Sequence, residues 1–79
     1  MSPTDLKERI ESLAPGTQAH VTDLTGTEDH YEAEVVSPEF EGKNTIARHR
    51  MVYALLKDEM ASNEVHALSL KTLTPNEKG

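Results

Sequence analysis

The chain has 79 residues, a net charge of −6 from 14 acidic and 8 basic side chains, and no cysteine. This length fits one small domain, whose core is expected to contribute only about 3–5 kcal/mol. A deep substrate pocket is therefore not expected, and disulfides and thiolate metal sites within this chain are excluded. No apolar run suits a signal peptide or a membrane span, so the sequence predicts a cytoplasmic protein. The negative charge argues against general nucleic-acid binding, which requires phosphate neutralisation.

Capping residues and apolar spacing predict a first helix over residues 3–14. Ser2 can cap this helix, Asp5 completes a capping box, and Pro3 suits the first helical position. Pro15-Gly16 then ends it. One apolar stripe follows the helical period: Leu6, Ile10 and Leu13.

Two strands are predicted next, over residues 17–24 and 31–36. The second alternates clearly between apolar and acidic side chains, which is typical of a strand with one solvated face. Thr25–Asp29 is the predicted turn, so the two strands form a hairpin. The alternating set is Tyr31, Glu32, Ala33, Glu34 and Val35.

A second helix is predicted over residues 45–61, capped by Asn44 or Thr45, and a third strand over residues 65–73. Apolar side chains surround most of this helix, so we expect it to be central and buried. His49 falls on its buried stripe and is expected to pack or form a hydrogen bond there. A polar tail is expected from Thr74 onward.

The predicted order is helix, strand, strand, helix, strand. A crossover between two strands of one sheet is almost always right-handed and makes them parallel, whereas the hairpin is antiparallel. The sequence therefore predicts a single α+β domain, with a three-stranded mixed sheet covered on one face by two helices.

Two of the four histidines lie at predicted strand starts. His30 immediately precedes the second strand and His66 opens the third. If these strands are parallel, both imidazoles lie at one exposed rim of the sheet. Spacing alone favours the interpretation that these are two exposed histidines with no ligand role. His20 is expected to face solvent.

The basic residues offer a rival site. Arg48 and Arg50 are 200° apart on a helix and point different ways, but Lys43, Arg50 and Lys57 recur at seven-residue spacing. That row could contact phosphates, or it could be a solvated face that balances the acidic residues. No aromatic residues are interleaved for base stacking. No nucleophile motif is present, so catalysis is not expected.

Several segments together resemble the BolA-like family, and the resemblance extends over nearly the whole chain. It implies a class II KH-like fold of order αββαβ, which agrees with the order predicted above. The segments are Phe40-Glu41-Gly42-Lys43, Arg48-His49-Arg50-Met51-Val52-Tyr53, Val65-His66-Ala67-Leu68 and Thr74-Pro75.

The resemblance implies a partner of monothiol glutaredoxins, which together with them holds a [2Fe–2S] cluster in iron–sulfur trafficking or iron homeostasis. The family's histidine ligand corresponds to His66, and His30 is the candidate second ligand. Some family members act as transcriptional regulators, with DNA contacts near the second helix. The segment after Thr74-Pro75 lacks the aromatic residue found in many relatives.

A [2Fe–2S] cluster takes four ligands, and this chain offers at most two well-placed imidazoles. We therefore expect a glutaredoxin cysteine and glutathione to supply the thiolates. The isolated chain is expected to be free of cofactor, as a monomer or weak homodimer. The alternative is a small DNA-binding regulator that uses Lys43, Arg50 and Lys57.

Overall fold

The computed structural model describes residues 1–26 and 30–79 of the chain. Within these residues it contains four α-helices, three strands and one short 3-10 turn. In chain order they are α1 (Pro3–Glu11), β1 (Gln18–Asp23), β2 (His30–Val36), the 3-10 turn (Pro38–Phe40), α2 (Thr45–Leu55), α3 (Lys57–Ala61), β3 (Ala67–Leu73) and α4 (Pro75–Lys78).

The strands form one sheet in the order β1-β2-β3. β1 runs antiparallel to β2, whereas β2 and β3 are parallel, with His30 opposite Ala67 and Tyr31 opposite Leu68. The predicted hairpin, the parallel crossover and the α+β class are therefore confirmed. The predicted turn over residues 25–29 lies partly outside the described residues.

The core lies on one face of the sheet, where the strand alternation places the apolar side chains. Leu6 and Ile10 of α1 and Val52 of α2 pack there, and all three are fully buried. The sheet contributes Ala19, Tyr31, Ala33, Val35 and Leu68 to the same core.

α1 begins as its sequence predicts. The Ser2 hydroxyl accepts a hydrogen bond from the Asp5 N–H at 3.0 Å, and the Asp5 carboxylate accepts one from the Ser2 N–H at 3.3 Å. The helix ends at Glu11 rather than at residue 14. Gly16, with a φ of +82°, then reverses the chain towards β1 in a conformation that favours glycine.

The prediction of one buried helix over residues 45–61 is wrong in two respects. The helix is interrupted at Leu56, which separates α2 from α3. α2 also lies at the surface, since Val52 is its only buried residue, while Ile46 is 64% exposed and Tyr53 36%. Apolar side chains on several sides of a helix do not determine which side packs against the rest of the protein. In α2 only the side that carries Val52 is buried.

His49 and the C-terminal segment also differ from expectation. His49 is half-buried, and its ring centroid lies 6.5 Å from that of Tyr53, with the two ring planes nearly perpendicular. It forms no hydrogen bond with the described residues. Of the two predicted roles of His49, packing and hydrogen bonding, the structure shows packing against Tyr53, on a helix side that is only half-buried. The segment predicted as a polar tail contains α4, which Thr74 caps through a capping box with Glu77. Among the described residues, no helix has the length and apolar character that a membrane crossing requires.

Candidate metal centre

His30 and His66 lie side by side at the N-terminal ends of β2 and β3. Their ring centroids are 5.1 Å apart and their planes are inclined by 53°. His66 is exposed and His30 is half-buried, so the pair opens to solvent mainly on the His66 side. The parallel pairing of the strands thus brings together the two histidines that the sequence placed at one rim.

The backbone around His66 is held on both sides of this residue. Val65 is fully buried, and its N–H donates to the Glu59 carbonyl at 3.2 Å. On the other side, the Leu68 carbonyl accepts a hydrogen bond from the Tyr53 hydroxyl at 3.0 Å. His66 therefore projects from a short segment whose neighbours are fixed to α3 and α2.

His30 is positioned by the hairpin and by the core. Its carbonyl accepts a hydrogen bond from the Leu24 N–H at 2.9 Å, which joins the end of β1 to the start of β2. The next residue, Tyr31, is buried, and its hydroxyl donates to the Met1 carbonyl. The backbone that carries the His30 imidazole is therefore held by β1 and by the buried Tyr31.

The spacing of the two rings suits a single metal ion. An ion bonded to one nitrogen of each imidazole at about 2.0–2.1 Å, with a tetrahedral angle between the bonds, places the ring centroids about 5 Å apart. The observed separation is 5.1 Å. No group of three or more histidine, cysteine or carboxylate ligands occurs among the described residues.

The other two histidines lie elsewhere. His20 is exposed on β1, opposite Glu34, as expected for a residue facing solvent. His49 lies on α2 against Tyr53. The chain therefore provides one imidazole pair and two separate histidines, which serve as internal controls in the experiments below.

The three residues of the predicted basic row do not share one helix. Lys43 precedes α2, and its amine donates to the Glu39 carbonyl at 3.0 Å. Arg50 is exposed in α2, whereas Lys57 begins α3 beyond the interruption at Leu56. The seven-residue spacing therefore does not produce a row on a continuous helical surface.

Sequence reasoning missed the structural role of Arg48. Its guanidinium donates to the Phe40 carbonyl at 3.2 Å, to the Thr72 carbonyl at 3.4 Å and to both oxygens of Glu77 at 2.7 and 3.3 Å. It also lies 5.9 Å from the centre of the Phe40 ring, and its side chain is only 11% exposed. Hydrogen bonding to Arg48 lowers the pKa of Glu77. Arg48 is thus committed to the fold, and no local pattern in the sequence indicated this because Glu77 lies 29 residues away.

Comparison with known proteins agrees with this architecture. The model of the BolA-like protein family matches residues 2–77. The chain is 36% identical over 77 residues to the chloroplastic protein BOLA1 of Arabidopsis thaliana, covering 98% of this chain and 48% of that protein. It is 46% identical over 52 residues to the DNA-binding transcriptional regulator BolA of Vibrio cholerae, covering 66% of this chain and 48% of that protein. The chain thus spans about half the length of either relative.

A solved structure supports the same assignment. The bolA protein homologue from Coxiella burnetii matches with a TM-score of 0.85 at 38% sequence identity, covering 99% of this chain and 96% of the other. The match therefore extends over almost the entire length of both chains. The chain belongs to the BolA-like protein family.

Proposed function

We propose that this protein is a non-enzymatic adaptor that shares a [2Fe–2S] cluster with a monothiol glutaredoxin, in iron–sulfur trafficking or iron homeostasis. The observation that carries the proposal is the imidazole pair of His30 and His66, with ring centroids 5.1 Å apart at an exposed end of the sheet. Family membership supports it, since the resemblance implies this role for the position of His66.

The donor set determines what the partner must provide. A [2Fe–2S] cluster has four ligand positions, and in Rieske centres two histidines on one iron replace two cysteines and raise the reduction potential. The separation of His30 and His66 fits two nitrogen ligands on one metal ion. The chain has no cysteine, so the remaining thiolates would come from the glutaredoxin and from glutathione.

The two imidazoles have different tasks in this proposal. His66 is exposed and follows the buried Val65, so it can meet a partner without disturbing the core. His30 is half-buried and begins a strand, so it provides the second nitrogen from a more restricted position. His66 is therefore the principal ligand and His30 the second.

The test is reconstitution with a monothiol glutaredoxin, glutathione, iron and sulfide under anaerobic conditions. Visible absorption should require the partner, because the chain alone lacks thiolates. Pulsed EPR of the reduced complex should detect nitrogen couplings that weaken or disappear in His66→Ala and are reduced in His30→Ala. His20→Ala is the matched control and should leave the couplings unchanged. Unchanged couplings in His66→Ala, or a stoichiometric cluster on the isolated chain, would contradict the proposal.

A second candidate function is DNA binding, which the name of the Vibrio cholerae relative favours. Arg50 and Lys57 are exposed and form no ion pair with the described residues, so they are available to phosphates. Arg48 is not available, and the net charge of −6 opposes duplex binding. We therefore place DNA binding second to cluster sharing.

Random duplex DNA at several salt concentrations tests this alternative. A regulator should bind with a Kd below about 10⁻⁴ M, and its affinity should fall steeply with salt because counterions are released. Arg50→Ala should then reduce the salt slope by about 1. Binding that is absent or independent of salt would rule out this function.

The cytoplasmic location stays a prediction from the sequence, since the similar BOLA1 is a chloroplastic protein.

A further inference from the structure

We infer that Arg9 of α1 and Glu59 of α3 are positioning residues for His66, on which they act through the backbone. Their ion pair fixes α3, and α3 in turn fixes the loop that leads into the histidine. The effect on the backbone stands on the described contacts alone. The consequence for a ligand of the shared cluster rests on the proposed function.

Arg9 holds the two helices that are separated at Leu56. Its Nε donates to a Glu59 carboxylate oxygen at 2.6 Å, and its Nη2 donates to the Leu55 carbonyl at 2.8 Å. Leu55 is the last residue of α2, where carbonyls lack a partner within the helix. Because the guanidinium carries five donors in one plane, this single side chain can bind the end of α2 and the side of α3 at once.

Glu59 is an unusual residue for its position, because it is buried and only partly satisfied. Its side chain is 11% exposed, and its second carboxylate oxygen is buried without a partner among the described residues. An apolar pair of similar size is often as stable as a buried ion pair, so stability alone does not explain this one. Loss of Arg9 would leave the buried charge uncompensated, and the position of α3 is therefore sensitive to this one contact.

The loop between α3 and β3 is closed onto the backbone of Glu59. The Glu59 carbonyl accepts hydrogen bonds from the Val65 N–H and from the Ser62 hydroxyl, both at 3.2 Å. Asn63 reverses the chain between them with a φ of +63°, in the left-handed region that asparagine tolerates. His66 follows directly after the fully buried Val65, so a shift of α3 reaches the histidine across one hydrogen bond and the adjoining peptide.

The sheet is held separately from α3. β3 begins at Ala67, and each of its residues pairs with β2. His66 lies between this strand and the loop, so movement of α3 should turn the imidazole while the strands stay in register. Interactions behind a metal ligand orient it, and their loss commonly weakens metal binding about 10–100-fold. The Arg9–Glu59 pair should therefore affect the cluster without contacting it.

Amide hydrogen exchange of the isolated chain tests the effect on the backbone. In Arg9→Met we expect exchange at residues 62–66 to accelerate at least about tenfold relative to the amides of β2, because the loop opens locally. Glu59→Gln keeps an acceptor for Arg9 and should accelerate exchange less. Lys7→Met is the matched control, since Lys7 forms an exposed ion pair with Glu11 on the same helix and should leave the ratio unchanged.

The ratio of exchange rates separates a local effect from a general one. Equal acceleration in the loop and in β2 would show only a loss of global stability and would overturn the positioning role. Should Arg9→Met not fold, Arg9→Lys gives the same test with a smaller selective acceleration, because an ammonium cannot reproduce the planar set of donors. An unchanged ratio in Arg9→Lys would then overturn the inference.

Reconstitution with the monothiol glutaredoxin, glutathione, iron and sulfide tests the consequence for the cluster. In the folded Arg9 variant we expect the nitrogen coupling of the reduced complex to change and the cluster to be lost at least about tenfold faster, although His66 is intact. His49→Ala removes a histidine from α2, and Arg48→Ala lowers stability at the other end of the sheet, so both should leave the coupling unchanged.

Two failures of this experiment have different meanings. An unchanged coupling in the Arg9 variant would refute the positioning role. Failure of the unmodified chain to form any shared cluster would instead refute the proposed function, and the exchange ratio would still decide whether the Arg9–Glu59 pair fixes the loop.

Discussion

The two ends of the parallel β2–β3 pair are built differently. At the N-terminal ends, His30 and His66 approach each other at 5.1 Å and open to solvent. At the C-terminal ends, Arg48 joins the 3-10 turn, the end of β3 and α4 through four hydrogen bonds. At the C-terminal ends a nearly buried side chain joins separate elements, whereas at the N-terminal ends hydrogen bonds hold the backbone and the His66 imidazole stays exposed.

Three consecutive residues of α2 illustrate the same contrast. Arg48 is nearly buried and hydrogen-bonded to three groups, His49 is half-buried against Tyr53, and Arg50 is exposed. A run of three basic or titratable residues is therefore not one functional patch. If the two ends differ as described, substitution of Arg48 should affect stability, whereas substitution of the imidazoles should affect ligand binding.

The largest loss of stability is expected from Phe40→Ala. Phe40 is fully buried beside Arg48, and truncation of such a side chain costs about 3–5 kcal/mol. This equals the whole contribution expected from a core of this size, about 3–5 kcal/mol, so the variant should be largely unfolded at 25 °C. Circular dichroism and amide NMR dispersion measure this. Phe40→Leu should remain folded with a lower Tm, and a Phe40→Ala melt matching the unmodified chain would contradict the structural role of this end.

Arg48→Ala is expected to come next, with a loss of about 1–3 kcal/mol in the free energy of unfolding. The variant removes four hydrogen bonds, to the carbonyls of Phe40 and Thr72 and to the carboxylate of Glu77. Urea denaturation measures the loss. Arg48→Lys should recover only part of it, because one ammonium cannot reproduce the planar set of donors.

Arg50→Ala is the matched control for this prediction. Arg50 lies on the same helix but is exposed, so its substitution should change stability by no more than about 0.5 kcal/mol. Equal losses in the two variants would show that the contacts of Arg48 contribute nothing beyond those of an ordinary surface arginine.

A smaller effect is expected from Tyr53→Phe, which removes only the hydroxyl that donates to the Leu68 carbonyl. The loss should be about 1 kcal/mol, the usual net contribution of one hydrogen bond. Because this bond holds the start of β3, hydrogen exchange should accelerate at residues 66–68 more than in β1. Uniform acceleration across the sheet would indicate a general loss of stability instead of a local one.

Much of this arrangement followed from local sequence patterns. The alternation of Tyr31, Ala33 and Val35 fixed the buried face of β2, and the crossover rule made β2 and β3 parallel. These two steps were sufficient to place His30 and His66 at one rim. Their roles as ligands came from the family resemblance and stay predictions.

The remainder depended on contacts between residues distant in sequence. Arg48 meets Glu77 across 29 positions, and no local spacing encodes that pairing. The surface position of α2 was missed because its apolar residues, among them Ile46 and Tyr53, surround the helix without selecting one face. The interruption at Leu56 has no glycine or proline to indicate it.

Acid should weaken the Arg48 end selectively. Hydrogen bonding to Arg48 lowers the pKa of Glu77, so the folded state favours the charged carboxylate. This contribution is complete above the usual glutamate pKa of about 4.3 and is lost as the pH falls through the lowered value. We therefore expect the Tm of Glu77→Gln to fall less than that of the unmodified chain when the pH is lowered from about 7 to about 3.

The acid effect is expected to be partial. Lys78 lowers the pKa of Glu34 and Lys7 lowers that of Glu11. Stability therefore still depends on pH through these two carboxylates when Glu77 is replaced. All three groups are close to solvent, and their contributions are small because water and salt screen them. A Glu77→Gln melt with the full acid dependence of the unmodified chain would show that the Arg48–Glu77 pair does not act in solution.

The smallest change in stability is expected at the histidine end, from His66→Ala. His66 is exposed and precedes β3, while its neighbour Val65 is buried in the core and keeps the backbone in place. The free energy of unfolding should therefore change by no more than about 0.5 kcal/mol, as is usual for a surface substitution. Urea denaturation of the metal-free chain measures this, with Arg48→Ala run beside it as the opposite case. A loss at His66 as large as that at Arg48 would mean that the imidazole belongs to the framework, and the contrast between the two ends would fail. A neutral result, combined with weaker cluster binding by the same variant, would assign His66 to ligand binding alone.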